Sequence, residues 1–261
     1  MKKVAGSIQR KSMLYQTGVE YGDYTMNHVL GCAHGCNYPC YAYLQKKRFK
    51  QVKDYANWCE PYLVSNTIEL LTKEIPRYKR KIKSVHLCFT TDPFMYEYDE
   101  VIEMSLNAIE LLNKHGIKCT VLTKGILPLE LANKLRYPAE NEYGITLVSL
   151  NEAFRKKMEP NTSQFEDRIN ALKKLSDLGC KTWVSMEPYP TPNICKQDLS
   201  IILERISFVD KIIFGRMNYN SDVRKGYPDH KNFYNEVAKE VVSFCEKKGI
   251  DYHIKKKTIA V

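Results

Sequence analysis

Apolar and polar positions along this chain change period repeatedly, and the changes follow one order. SVHLCFT (Ser84–Thr90) is a continuous apolar run that reads as a buried strand. DEVIEMSLNAIELLNKHG (Asp99–Gly116) then spaces its apolar residues for a helix and closes on glycine. The alternation continues with a strand at Ile117–Thr123 and a short helix at Pro128–Leu135, with proline at its start. It goes on through a strand at Tyr143–Leu150, a helix at Ser163–Gly179, a strand at Cys180–Glu187 and a helix at Asp198–Ile206. A strand at Asp210–Gly215, a helix at Lys231–Gly249 and a last short strand at Ile250–Lys256 complete it. Alternating strands and helices predict right-handed βαβ units around a parallel sheet. A first strand at Tyr24–Leu30 brings the count to six or seven units, short of the eight that close a TIM barrel. A doubly wound sheet would carry a glycine-rich phosphate turn after that first strand. Three cysteines stand there instead. The expectation is one α/β domain over residues 1–261: a partial (β/α)6 parallel barrel, with a short N-terminal extension and a C-terminal strand. Its active face lies at the C-terminal ends of the strands.

The chain has 261 residues and is 44% apolar, enough for a large core. No stretch approaches the ~18 apolar residues of a membrane span, and MKKVAGSIQRKS lacks the apolar stretch of a signal peptide. Nine scattered cysteines, an odd number, suit a reducing, cytoplasmic setting with thiols that are buried, metal-bound or reactive. The net charge of +10 favours anionic partners such as nucleic acid, nucleotides or acidic peptides, or else merely keeps the protein in solution. Its densest basic runs, Lys46–Lys53 and Arg77–Lys83, both contain aromatic residues, which raises the nucleic-acid reading.

The candidate chemistry sits in GCAHGCNYPCYAYL (Gly31–Leu44), where Cys32, Cys36 and Cys40 are spaced C-x3-C-x3-C. Structural zinc takes four ligands, usually in two close pairs. His34 would have to be the fourth, from inside the same short loop. An iron–sulfur cluster also takes thiolates, and three of them on a four-iron cluster leave one iron open for chemistry. Unpaired structural thiols are the third reading. The spacing favours the cluster.

This loop resembles that of the radical S-adenosylmethionine (radical SAM) superfamily, whose members bind a [4Fe–4S] cluster by three cysteines after the first strand of a partial barrel. The usual spacing is C-x3-C-x2-C with an aromatic residue before the last cysteine. Here Pro39 separates Tyr38 from Cys40, so the last gap is one residue longer. Further on, FTTDP (Phe89–Pro93), LTKG (Leu122–Gly125), ITLVSLNE (Ile145–Glu152) and EPNTSQFEDRINALKKLSDLG (Glu159–Gly179) follow in order. Together they are similar to the spore photoproduct lyase-like group, over about Asn27 to Asn193. The resemblance implies a radical SAM partial barrel. It implies a cluster held by Cys32, Cys36 and Cys40, with SAM chelated at the open iron. It also implies reductive cleavage to a 5′-deoxyadenosyl radical and a reductant such as flavodoxin or ferredoxin.

It further implies site residues. Thr90, Thr91 and Asp92, after strand two, offer acceptors for the SAM ammonium, Asp92 having an Asx turn before Pro93 as its other role. Lys124 contacts SAM after strand three. Ser149 and Asn151 suit the ribose hydroxyls, and Arg155 suits the carboxylate or is a solvated helix residue. Tyr38 contacts adenine, and Glu187 reaches SAM or substrate or caps a loop. Tyr38 and Tyr41 match tyrosines that flank the last cluster cysteine in the lyases, so both are candidate catalytic residues. Phe89 stands where the lyases have a hydrogen-donating cysteine. Cys88, one residue earlier, belongs on the opposite strand face. Cys195 is the candidate substrate-side thiol, and His34 is expected to pack the loop. Lys255 and Lys257 would share a strand face toward an anionic substrate. The substrate expected is nucleic acid or a nucleotide. The alternatives are a peptide or small metabolite, or a zinc-stabilised binding module without catalysis.

Overall fold

The structure, a computed structural model, describes residues 2–259. Residues 1, 260 and 261, the ends of the expected domain, lie outside the described residues. Eleven strands occur among the described residues: β1 (Gly6–Ile8), β2 (Tyr15–Gln16), β3 (Tyr24–Met26), β4 (Val29–Leu30), β5 (Tyr62–Val64), β6 (Ser84–Leu87), β7 (Lys118–Thr123), β8 (Glu142–Thr146), β9 (Lys181–Tyr189), β10 (Lys211–Arg216) and β11 (Asp251–Ile254). The helices are α1 (Tyr41–Arg48), α2 (Tyr55–Trp58), α3 (Thr67–Tyr78), α4 (Asp99–Lys114), α5 (Glu152–Met158), α6 (Phe165–Asp177), α7 (Leu199–Arg205), α8 (Ser221–Gly226) and α9 (His230–Lys248).

Eight strands form the main sheet, in the order β11-β10-β9-β8-β7-β6-β3-β2. Seven run parallel, and β2 adds an antiparallel edge. The sheet is open: β2 and β11 do not pair, so the barrel is partial, as expected. Side chains bridge the gap. Glu20, in the β2–β3 turn, accepts a hydrogen bond from the Lys256 amide at 3.1 Å. The neighbouring Tyr21 ring packs edge-on against His253 of β11, with centroids 6.0 Å apart.

The helices form because their apolar faces have a sheet to cover. In α4, Val101, Ala108, Ile109 and Leu112 are buried at helical spacing, and Asp99 and Glu100 favour its N-terminus. In β7 the pattern alternates: Cys119, Val121 and Thr123 are buried, while Thr120 turns toward His86 of β6.

The expected first strand, Tyr24–Leu30, is broken in two. β3 pairs with β6, whereas β4 crosses to a second sheet, ordered β1-β5-β4. The break falls at Asn27 and His28, whose side chains bond outside the ladder. The Asn27 carbonyl accepts from the Thr90 amide and hydroxyl, and His28 Nε2 meets Ser105 Oγ at 2.8 Å. β6 stops at Leu87, where Cys88 takes a left-handed backbone with φ 61°. The expected strand to Leu150 ends at Thr146, and the short helix from Pro128 is a single 3₁₀ turn, Leu129–Ala132.

Candidate active site

The three cysteines lie on the loop between β4 and α1, and neighbouring backbone pins that loop. Gly31 has φ 88°, and a Cβ there would come within 2.5 Å of the Glu60 carbonyl and 2.8 Å of the Trp58 carbonyl. The Cys32 amide donates to the Trp58 carbonyl at 2.8 Å, and the Asn37 amide donates to the Met158 carbonyl at 2.8 Å. All three cysteines are free thiols. Burial, followed by the Asp92 charge, pushes the Cys32 thiol well up. Burial also raises Cys36, to about 11, against the pull of the Lys124 ammonium. Such thiols become thiolates when a metal centre supplies the opposing charge.

The donor set fits a cluster rather than a zinc ion. His34 is fully engaged: Nε2 accepts from the Tyr96 amide at 3.0 Å, and Nδ1 faces Asp92 Oδ2 at 3.4 Å. Burial holds its pKa near 4, so it stays neutral. It packs the loop, as expected, and has no nitrogen to spare as a fourth zinc ligand. Among the described residues no three Cys, His, Asp or Glu side chains converge on one ion. Cys59 packs with Cys32 and Cys40 against Ala42, Val52 and Trp58.

Behind the loop lies a buried charge network that carried no role in the sequence reading. Glu159 is fully buried, with one oxygen 2.9 Å from Lys124 Nζ and the other 2.8 Å from Arg168. Burial works against its charge, but the two cations outweigh it and hold the carboxyl near 2. The Tyr38 hydroxyl donates to Glu159 at 3.2 Å, and the Lys124 ammonium lies over the Tyr38 ring. Lys124 Nζ also stands 3.6 Å from Cys36 Sγ. Arg168 donates to the Thr146 carbonyl at 2.9 Å, which ties the network to β8. The signal was available, since Glu159 and Arg168 are the charged ends of the E-P-N-T-S-x4-R motif.

The radical SAM superfamily model matches residues 26–206. The chain belongs to the radical SAM superfamily. It is therefore an enzyme whose cofactors are SAM and a [4Fe–4S] cluster, and it draws its electrons from an external reductant. It is 26% identical over 222 residues to an uncharacterized protein of Acidianus two-tailed virus, covering 80% of this chain and 72% of the relative. An uncharacterized protein of Methanocaldococcus jannaschii is 23% identical over 256 residues, covering 93% of each. Among solved structures, spore photoproduct lyase with bound AdoMet and dinucleoside spore photoproduct superposes with a TM-score of 0.69 at 14% identity. That match covers 95% of this chain and 80% of the lyase, and it shows a shared fold. Among the described residues no helix is long and apolar enough to cross a membrane.

The radical SAM fold gathers most of the remaining candidates at one end of the barrel. Asp92 spends its oxygens locally: Oδ1 accepts from the Phe94 amide and Thr123 hydroxyl, and Oδ2 accepts from the Lys124 amide. Thr90 bonds Asn27, and Thr91 reaches the Val29 carbonyl at 3.4 Å. Ser149 is buried and accepts from the Asn151 amide, while the Asn151 side chain caps α5. Arg155 is 6% exposed rather than solvated, with its guanidinium on Glu152 and the Thr162 carbonyl. Glu187 pairs with Lys255 at 2.6 Å, and Lys255 lies over the Tyr21 ring. Tyr41 begins α1, half-exposed, with its hydroxyl on the Phe89 carbonyl. Inside the barrel Phe89 stacks on His86 at 3.7 Å, and Tyr21 touches both Phe89 and Trp183. Cys88 points away from these rings, with Sγ 3.4 Å from His28 Nδ1. Cys195 lies 3.7 Å from Ser149 Oγ and 3.6 Å from Gln197 Oε1, at a cavity of about 560 Å³ shared with Phe233 and Glu240 of α9.

Proposed function

We propose that Cys32, Cys36 and Cys40 ligate the cluster and that SAM lies across the C-terminal ends of β6, β7 and β8. Held by these thiols, a cluster would supply the one electron that cleaves the SAM sulfonium to methionine and a 5′-deoxyadenosyl radical. The observation that carries this reading is Lys124, at the end of β7, standing 3.6 Å from Cys36 on the loop that holds all three free thiols. Lys124, held by Glu159, presents its cation to the SAM carboxylate. The Thr90 and Thr91 hydroxyls receive the SAM ammonium, on a loop fixed by Asp92. Ser149 and Asn151 approach the ribose, Tyr38 the adenine, and Arg155 secures the adjoining loop. Glu187 and Tyr41 face the substrate, and Tyr41 and Tyr38 are the candidate hydrogen carriers. Cys195 is kept as a thiol of the outer cavity.

The substrate we propose is nucleic acid or a nucleotide, hydrogen being taken from it at the barrel mouth. Tyr21, Tyr41 and Phe89 supply aromatic rings there, the kind of group on which bases stack, and Lys255 stands beside them paired with Glu187. The enzyme works as one domain in the cytoplasm, and flavodoxin or ferredoxin supplies its electrons. The test begins with anaerobic reconstitution, iron and sulfide analysis, and an assay of 5′-deoxyadenosine with dithionite and SAM. About four irons per chain and steady nucleoside release support the chemistry. Stimulation by oligonucleotides supports the substrate class. Stimulation confined to peptides or small metabolites would replace it.

A further inference from the structure

Helix α1 is an unusual element for the place it occupies. It buries Ala42 and no other residue. Tyr41, Leu44 and Phe49 are 51%, 41% and 63% exposed along it and just beyond. Lys46, Lys47, Arg48, Lys50 and Lys53 follow one another with no acidic residue between Tyr41 and Lys53. Among the described residues none of these five cations enters an ion pair, whereas Lys73 of α3, Lys114 of α4, Lys173 of α6 and Lys239 and Lys248 of α9 each do. Lys46 even has a like charge, Arg10, for company. Uncompensated cations interleaved with exposed rings make a surface for a flexible polyanion with stacking faces.

The placement of α1 selects the kind of polyanion. Its first residue, Tyr41, touches the Phe89 carbonyl at the barrel mouth. Its eight residues then span about 12 Å with only Ala42 buried. A strand lying along it has one end in the mouth, where hydrogen is abstracted. An acidic electron-donor protein needs nearness to the cluster alone and has no use for a ring leading into the barrel. The second basic run, Arg77–Lys83, joins the end of α3 to the start of β6, at the opposite end of the barrel.

We propose that α1 and the turn after it form a docking track for single-stranded nucleic acid, leading one nucleotide into the mouth. The proposal rests on the nucleic-acid reading of the substrate given above.

The test is fluorescence anisotropy of a dye-labelled single strand of about 12 nucleotides with the reconstituted holoenzyme, across a salt series. The triple variant Lys47→Glu, Arg48→Glu, Lys50→Glu is expected to weaken binding at least about tenfold and to flatten the logarithmic salt slope by about two. The triple variant Lys79→Glu, Arg80→Glu, Lys81→Glu, at the far end, is expected to cost less than about threefold, through overall charge alone. Phe49→Ala is expected to weaken binding about fivefold with the salt slope unchanged, which marks stacking. Basal 5′-deoxyadenosine release, measured without oligonucleotide, should be equal in all of them and shows that each is folded and loaded. Equal losses from the two triple variants would overturn the proposal. So would a wild-type enzyme that releases nucleoside but binds no strand. So would α1 variants that lose only cross-linking to flavodoxin, which would reassign the surface to the electron donor. Binding that depends on α1 but never stimulates nucleoside release would leave the track standing and remove the nucleic-acid substrate reading.

Discussion

Glu159 shows what a single buried side chain does here. Its carboxylate has no contact with solvent, and it persists because Lys124 and Arg168 each give it a close partner. Glu159→Gln keeps the shape and leaves the buried Arg168 and the part-buried Lys124 without their anion. We expect a loss of about 3–5 kcal/mol, read as a lower urea midpoint at unchanged slope. The thiols separate in the same way. Cys32→Ser, Cys36→Ser and Cys40→Ser should each prevent the reconstituted protein from reaching four irons, with visible cluster absorption lost. Cys59→Ser should retain both, because Cys59 stands outside the C-x3-C-x3-C loop, just after α2. A Cys59→Ser protein without iron would make that thiol a ligand. The thiols were legible because their spacing is local. Glu159 was not given a role, since nothing local shows which cations come to it from β7 and α6. Cys88 does face away from Phe89, as strand parity required. The backbone, however, achieves this by a left-handed turn rather than by continuing the strand.

At the scale of elements, the periodic helices and the buried strands could be read because each covers or lies in one large sheet. The stretch from Asn27 to Lys83 could not. Its pieces, β4, β5, α1, α2 and α3, serve the cluster loop and a small second sheet, and most are too short for a period to show. Helix α3 is long enough, with Leu71 and Ile75 buried, but Pro76 and the basic run after it obscured its end. Gly31 joins that stretch to the cluster. The Trp58–Glu60 backbone lies against its α-carbon, and its φ of 88° disfavours any side chain. Gly31→Ala should therefore displace the loop as well as strain it, the backbone strain alone costing about 1–2 kcal/mol. The expected result is a lower melting temperature and fewer irons after reconstitution, with far-ultraviolet circular dichroism unchanged. Normal iron content in Gly31→Ala would mean that the loop does not depend on this contact.

For the whole molecule, the open barrel places polar side chains inside and between its layers, and this couples its stability to pH. His28 lies between the sheet and α4, bonded to Ser105, and burial lowers its pKa to about 4. His86 lies inside the barrel between Phe89 and Thr120, and burial lowers its pKa to about 3. Both are neutral in the folded chain, whereas in the unfolded chain they take up protons near pH 6.5. Lowered folded values mean that the unfolded state holds more protons between those limits. The stabilising effect of the neutral rings is therefore complete above about pH 6.5 and is lost as pH falls toward 4 and then 3. Near pH 5 two protons separate the states, which gives a slope of about 3 kcal/mol per pH unit from these rings alone. Unfolding free energies from urea titrations should fall with about that steepness between about pH 5.5 and pH 4.5, and more gently between pH 7 and pH 6. His86→Phe should halve the contribution, because it keeps a ring against Phe89 while removing one titrating site. An unaltered slope in His86→Phe would show that His86 is not a source of the acid sensitivity in this range; the contribution of Glu159 is lost only lower, as pH falls from about 4.5 through about 2.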